Sequence, residues 1–116
     1  MNQMIKVPKI YLDILDQIFE IEKKVEGISE TNTISRNLSR IKEVFENMEV
    51  DGGLIYHNPM GEVYKDTRTD LEATIAGASA ENLIISEVIK PIIRYKKGAV
   101  TIIARKGIVI VESNNK

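Results

Sequence analysis

The first fifty residues contain two stretches in which apolar side chains recur every three or four positions. Between Pro8 and Glu26 this spacing places a stripe of apolar residues on one helical face, with a second stripe beside it. The first stripe comprises Tyr11, Ile14, Ile18, Ile21, Val25 and Ile28, and the second comprises Leu12, Leu15 and Phe19. Pro8 is expected in the first turn of this helix, and Gly27 is expected to end it. Such a wide apolar face is typical of a bundle helix rather than of a two-stranded coiled coil.

A second helix is predicted after a short polar connection. Its apolar stripe has the same spacing and comprises Ile34, Leu38, Ile41, Phe45 and Met48, with Val44 broadening the face. Thr31 or Thr33 is placed to cap the start. The segment 51–53 is expected to end the helix, because its two glycines disfavour helix and readily adopt the left-handed geometry of a C-terminal cap. Since the connection is short, the two helices are expected to pack antiparallel.

From Leu54 onward the pattern changes to short runs of β-forming residues separated by turn residues. The runs are 54–57, 62–65, 70–75, 83–95, 99–104 and 108–112. Turns at 58–61, 96–98 and 106–107 make a meander of hairpins the simplest topology. Pro91 cannot donate a ladder hydrogen bond, which places a bend, a bulge or an edge position there. Helices followed by strands predict an α+β fold rather than an alternating α/β sheet.

Two wide apolar faces cannot both be hidden by packing the two helices against one another. The leftover surface is most simply buried in a symmetric dimer, in which two helical hairpins form a four-helix bundle. The predicted organisation is an antiparallel helical hairpin for dimerisation at 1–52, followed by a small, mostly antiparallel β domain at 53–116. The predicted dimer interface comprises Ile14, Ile18, Ile21, Leu38, Ile41 and Phe45.

Composition narrows the range of partners and compartments. The chain has 116 residues, a formal net charge of −1 and no cysteine. The balanced charge argues against nucleic acid as a partner. The lack of cysteine excludes disulfides and thiolate chemistry and favours a reducing compartment. Neither a secretory signal nor a run approaching the roughly 20 apolar residues of a membrane span is present, so a cytoplasmic location without membrane contact is expected.

Residues suited to catalysis are scarce. His57 is the single histidine, and a metal site or a histidine-based triad usually needs further partners near it. Asp66, Asp70 and Glu72 leave open an enzyme with a carboxylate site across the dimer interface. A solvent-facing strand is the simpler interpretation, because Asp70 and Glu72 would lie on one strand face. No catalytic residue, metal or cofactor is predicted.

A basic cluster surrounds the last two predicted turns. It comprises Arg94, Lys96, Lys97, Arg105 and Lys106. A basic patch at one end of the sheet would suit an acidic partner surface. Cationic side chains also solubilise hairpin ends and protect strand edges, and this second interpretation is favoured.

The junction between helices and strands resembles the corresponding segment of the GrpE family, the nucleotide exchange factors of DnaK-type chaperones. That family shows a glycine and an aliphatic residue, then a proline, a glycine–glutamate pair and an aromatic, here Gly53, Leu54, Pro59, Gly61, Glu62 and Tyr64. The end of the chain is similar to the family's last strand, an arginine followed by alternating aliphatics, here Arg105, Ile108, Val109 and Val111. Lys65, Asp66 and Lys106 depart from the family's pattern.

This resemblance implies both a fold and a function. GrpE proteins have a long N-terminal helix, expected to be missing here, then a dimeric four-helix bundle and a β domain that contacts the chaperone's ATPase domain. The implied function is a co-chaperone that promotes ADP release by binding the open form of that domain. The implied contacts are Gly61, Tyr64, Arg105 as a charge-assisted donor and Ile108 as an apolar anchor. The alternative is a homodimeric interaction module of this fold without exchange activity.

Overall fold

The computed structural model of the chain describes residues 7–26, 32–48 and 52–114. Two helices precede six strands in these ranges. They are α1 (Lys9–Val25), α2 (Asn32–Glu46), β1 (Gly53–His57), β2 (Leu71–Ile75), β3 (Leu83–Lys90), β4 (Ile92–Lys97), β5 (Val100–Arg105) and β6 (Gly107–Ser113). The prediction of an α+β fold with the helices first is confirmed. No helix in the described part of the chain is long and apolar enough to cross a membrane.

The helix boundaries follow the sequence signals only in part. Pro8 precedes α1 with a φ of −54°, and the N–H of Tyr11 donates to its carbonyl at 3.1 Å. Thr33 lies inside α2 and does not cap it, because the helix begins one residue earlier. Gly53 is the first residue of β1 rather than part of the helix end. The other predicted boundary residues, Gly27, Thr31 and Asp51, lie outside the described residues, as does Ile28.

The six strands form two three-stranded sheets. The first sheet has the order β1-β4-β5, and all its pairs are antiparallel. The second has the order β2-β6-β3, with β6 antiparallel to β3 and parallel to β2. The mostly antiparallel character is confirmed. The predicted meander is wrong, because β4 and β5 are the only consecutive strands of the described chain that pair. The predicted strand 62–65 is also wrong, since there only Val63 bridges to Ile84.

Besides the connection from β1 to β2, the chain crosses between the two sheets at two points, each made by a single residue. Pro91 is buried between β3 and β4, so the long run 83–95 bends there and supplies a strand to each sheet. The second crossing joins β5 to β6, where a hairpin turn had been predicted. A Cβ added to Gly107 would lie 2.8 Å from Cγ1 of Ile92 and 3.0 Å from Cδ2 of Leu71. The close approach of the two sheets therefore requires a glycine at this crossing.

Helices and strands share two apolar cores. In the first core Phe19 of α1 packs with residues of the second sheet and the start of β4, namely Leu71, Leu83, Ile85, Val88, Ile92, Val109 and Val111. The second core joins both helices to the first sheet and comprises Leu15, Ile18, Leu38, Phe45, Leu54 and Ile93. The wide apolar face of α1 therefore contributes to two cores within the chain.

Candidate partner-binding surfaces

Within residues 7–26, 32–48 and 52–114, one apolar stripe on each helix is exposed. Ile14, Ile21 and Ile41, three of the six residues predicted for the dimer interface, are 40%, 41% and 40% exposed. The other three, Ile18, Leu38 and Phe45, are buried in the second core. We call the uncovered residues the open helical stripe, which comprises Ile10, Ile14, Ile21, Ile34, Ile41 and Val44.

Arg105 ends β5 and is tied to α1. Its two terminal nitrogens donate to the two carboxylate oxygens of Asp16 at 2.7 Å each, and one of them also donates to the carbonyl of Pro91 at 2.9 Å. Its side chain is 20% exposed, and its Nε is buried without a partner among the described residues. Bidentate pairs of this kind are the strong form of charge-assisted hydrogen bond. The terminal donors of Arg105 are thus engaged by other residues of the same chain.

The segment 58–64 carries two more of the predicted contact residues. Gly61 has a φ of +83° with open space beside its Cα, and its N–H donates to the carbonyl of Ile85 at 3.0 Å. The N–H of Tyr64 donates to the carbonyl of Leu83 at 2.9 Å, and its half-buried ring packs against the first core. The segment is therefore fixed to β3, with Gly61 open to approach and Tyr64 partly covered.

Ile108, the fourth predicted contact residue, lies on the side of the second sheet that faces away from the core. Along β6, Gly107, Val109 and Val111 are buried, while Ile108 and Ile110 are partly exposed. This alternation is that of a strand with one covered face. The side chain of Ile108 is therefore available at the surface rather than part of the core.

The neighbouring chain segments extend this surface. Ile84 of β3 is partly exposed between the buried Leu83 and Ile85, and Val63, which bridges to it, is 60% exposed. We call the four aliphatic residues Val63, Ile84, Ile108 and Ile110 the outer sheet face. Such solvent-facing positions of an antiparallel strand pair usually carry polar residues. An aliphatic group there is typical of a protein contact surface.

A ring of polar side chains joins the segment 58–70 to the first sheet. We call it the polar ring, and it comprises His57, Glu62, Arg68, Asp70 and Arg94. Arg68 donates from Nε and a terminal nitrogen to the two oxygens of Asp70 at 3.0 Å each, and Arg94 donates to Asp70 at 2.8 Å. A terminal nitrogen of Arg68 also lies 3.2 Å from Glu62 Oε1. The hydrogen bonds from Arg68 hold the pKa of Asp70 below its ordinary value, against the opposing effect of burial.

His57 closes the polar ring. Its Nε2 lies 2.6 Å from Glu62 Oε2, and its Nδ1 lies 2.7 Å from a terminal nitrogen of Arg94. Because a guanidinium can only donate, Nδ1 accepts and the imidazole proton resides on Nε2, from which it is donated to Glu62. Both nitrogens of this neutral imidazole are therefore engaged. Sequence reasoning missed this site, because Glu62 is near His57 in the chain but Arg94 lies 37 positions away.

A second polar contact joins α1 and α2 to β1. The hydroxyl of Tyr56 donates to Glu22 Oε1 at 2.7 Å, and Lys42 pairs with the other oxygen of Glu22. The ammonium of Lys42 also lies 4.3 Å from the centroid of the Tyr56 ring. Burial, followed by the contact with Glu22, raises the pKa of Tyr56. The tyrosine therefore stays protonated as the donor that fixes the helices to the first sheet.

The carboxylates and cations grouped by sequence are dispersed in the structure. Asp70 precedes β2 and is engaged in the polar ring, so it does not share the solvent face of Glu72 as predicted; Asp66 is exposed. No group of three histidine, aspartate or glutamate side chains in 7–26, 32–48 and 52–114 could hold a metal ion.

The basic patch, which was the less favoured interpretation of these cationic side chains, does not form among the described residues. Arg94 and Arg105 are engaged with acidic side chains, while Lys96 and Lys97 lie at the hairpin end of β4 and are exposed. Lys106 follows the opposite end of β5, and the six residues of that strand span about 20 Å. The interpretation of these lysines as solubilising residues agrees with their separation.

Comparisons with protein-family models, curated proteins and solved structures give no match for this chain.

Asp70→Asn is expected to lower the free energy of unfolding at pH 7 by about 2 kcal/mol, because the arginines of the polar ring lose a charged acceptor. The depressed pKa of Asp70 fixes the sign of the pH dependence. Its stabilisation is fully present well above the ordinary value of 3.8 and is lost as pH falls through the lower folded pKa. Urea unfolding at several pH values between 7 and 2 should therefore show the variant and wild-type curves converging in acid.

Asp66→Asn is the matched control, because Asp66 is an exposed carboxylate of the same segment. It should change the free energy of unfolding by less than about 0.5 kcal/mol at every pH. An Asp70→Asn curve that ran parallel to wild type down to pH 2 would contradict the role given to the polar ring.

Proposed function

We propose that this chain is a GrpE-like co-chaperone that promotes ADP release from a DnaK-type chaperone by binding the open form of its ATPase domain. The observation that carries the proposal is the presence of two apolar surfaces, one exposed and one partly exposed, on different elements. The open helical stripe lies on α1 and α2, and the outer sheet face lies on the second sheet with Val63 beside it. A dimeric exchange factor needs one surface for its second copy and another for its chaperone.

We assign the open helical stripe to a homodimer. Its six aliphatic side chains recur at helical spacing on two neighbouring helices, so a second copy related by a two-fold axis can cover them in a four-helix bundle. Ile18, Leu38 and Phe45 support this interface from within the protomer by holding α1 and α2 on the first sheet.

Exchange by this mechanism requires no catalytic residue. A protein that binds the open nucleotide lobe more tightly than the closed one shifts the population toward the state that releases ADP. Reversing a 99:1 preference requires about 5.5 kcal/mol of differential affinity, which a few well-packed contacts supply. Ile108, Gly61 and Tyr64 remain the proposed contacts. Arg105 is proposed to act indirectly, because its pair with Asp16 positions the last strand against α1.

Release of a fluorescent ADP analogue from a DnaK-type chaperone of the same cell tests this function. The chaperone is preloaded with the analogue and mixed with excess ATP, with and without the protein. We expect the release rate to rise at least about tenfold and to saturate with protein concentration, since a bound complex precedes release. An unchanged rate with every DnaK-type chaperone of that cell would refute the proposal.

A second candidate is a homodimeric interaction module without exchange activity. The engagement of Arg105 with Asp16 favours it, because that pair removes a charged donor from the set of contacts implied by the GrpE resemblance. Capture of partners from cell extract separates the two candidates. The module predicts a dominant partner that is not related to DnaK, whereas the exchange factor predicts the chaperone itself.

A further inference from the structure

The outer sheet face has an acidic border. Strand register places one glutamate directly opposite each of its three strand isoleucines, and directly paired residues of neighbouring strands point to the same side of a sheet. The pairs are Glu72 with Ile108, Glu87 with Ile110 and Glu112 with Ile84. All three glutamates are exposed. The aliphatic centre is therefore bordered by carboxylates contributed by all three strands.

No cationic side chain of the described residues neutralises these three carboxylates. Asp16, Glu22, Glu62 and Asp70 each pair with a cationic side chain of the protomer. Glu72, Glu87 and Glu112 form no ion pair within the described residues. Lys90 lies on the same face across Ile108 from Glu72, but two strand spacings separate them by about 10 Å. The negative charge of the border is thus available to a partner.

We propose that the outer sheet face binds a protein surface on which lysine or arginine side chains surround an aliphatic patch. The isoleucines supply burial of apolar area, and the glutamates supply steering and register against cations. The same negative border disfavours nucleic acid and anionic membranes as occupants. This inference rests on the proposed function in one respect, since it assigns the basic, aliphatic surface to the ATPase domain of the DnaK-type chaperone.

Calorimetric titration of the purified ATPase domain into the full chain tests the proposal. The double variant Glu72→Lys/Glu112→Lys is expected to bind at least about tenfold more weakly than wild type at low salt. Wild-type affinity should fall between 50 and 500 mM NaCl, whereas the affinity of the double variant should fall less, because two of the three attractive charges are reversed. Ile108→Thr, which keeps a β-branched residue in the strand, should weaken binding at least about fivefold.

Glu43→Lys is the matched control. It makes the same change of charge at an exposed position of α2, a helix that contacts the first sheet through β1, and it should leave the affinity unchanged. Circular dichroism and thermal unfolding establish that each variant is folded before its affinity is compared.

The outcomes for the surface and for the function are distinct. Wild-type affinity retained by both the double variant and Ile108→Thr would overturn the proposed surface, even if ADP release is accelerated. Binding that depends on these residues without accelerated release would support the surface and refute the exchange function. No binding of the ATPase domain by wild type would overturn both. Weaker self-association of the glutamate variants in sedimentation would identify a second copy as the occupant and would also overturn the proposal.

Discussion

Arg105→Met and Asp16→Asn are each expected to lower the free energy of unfolding by about 3 kcal/mol. Either change removes one member of the ion pair and leaves the charge of the other partly buried and unpaired. The two groups lie on α1 and β5, 89 positions apart in the chain. Their pair and the bond from Arg105 to Pro91 meet where the chain crosses between the two sheets. Loss of either side chain should therefore loosen the contact of α1 with both sheets.

Urea unfolding of the two single variants and the double variant measures this contact. The double variant should be more stable than the sum of the single losses predicts, with a coupling energy of about 2 kcal/mol. The unpartnered Nε of Arg105 limits the net gain from the pair. Fully additive losses in the double variant would contradict the expected coupling. Lys106→Met is the control, because it removes the adjacent exposed cation and should cost less than about 0.5 kcal/mol.

The same variants decide between two roles for Arg105. If Arg105 positions the last strands, Arg105→Met and Asp16→Asn should lose stability together and weaken chaperone binding to a similar extent. If Arg105 instead donates directly to a partner, Arg105→Met should weaken binding while Asp16→Asn does not. Unfolding and binding measurements on one set of proteins thus separate positioning from contact.

Local patterns predicted the strands but not their partners. The runs that became β1, β2, β5 and β6 were located within two residues, because alternation and turn residues are local properties. Pairing of β2 with β6 joins segments separated by more than thirty residues in parallel, and no local signal specifies it. Pro91 predicted a bend correctly. The bend also moves the chain from one sheet to the other. This follows only from the close packing of Ile92 against Gly107, which no local pattern predicts.

The apolar periodicity of α1 shows why the helical surface was harder to interpret. Ile14 and Ile18 lie on the same predicted stripe, yet Ile18 is buried in the second core and Ile14 is 40% exposed. An apolar stripe on a helix indicates only that its side chains are buried against some other surface. It does not distinguish burial against the chain's own sheet from burial against a second copy, because both lower apolar exposure by the same physics.

The polar ring lay beyond sequence reasoning for a related reason. Arg94 is paired with Ile55 in the ladder of β1 and β4, and His57 lies two residues after Ile55 on the same strand. The side chains of His57 and Arg94 therefore lie on one sheet face, where they meet. Neither residue has an unusual local sequence, and alternation alone leaves the register between β1 and β4 open. The signal that could have located the ring is the closely spaced acidic and basic residues between positions 62 and 70. The sequence pattern favoured a solvent-facing position for their side chains.

Ile14→Glu and Ile41→Glu are expected to dissociate the proposed dimer, each raising its dissociation constant by at least about 100-fold. Full burial of one isoleucine contributes about 1.5–3 kcal/mol, and only the exposed 40% of Ile14 and of Ile41 is left for a second copy to cover. In a two-fold dimer every substitution occurs twice, so the lost burial is about 1–2 kcal/mol, and two unpaired carboxylates at the interface add the rest. Within one chain the cost should be about 1–2 kcal/mol, because each side chain is already partly buried there. Sedimentation equilibrium across a wide range of concentrations, together with urea unfolding, measures the two effects separately.

Ser35→Glu and Ser39→Glu are the controls, since they add the same charge at exposed polar positions on the side of α2 that faces away from Ile41. They should shift the dissociation constant by less than the isoleucine variants. A wild-type protein that stays monomeric at 100 μM would refute the dimer. Dissociation by the controls as readily as by Ile14→Glu would show that charge rather than the open helical stripe governs association. Because Ile18 is covered inside the protomer, Ile18→Ala should instead lower stability, and this contrast between neighbouring positions identifies which apolar residues serve the second copy.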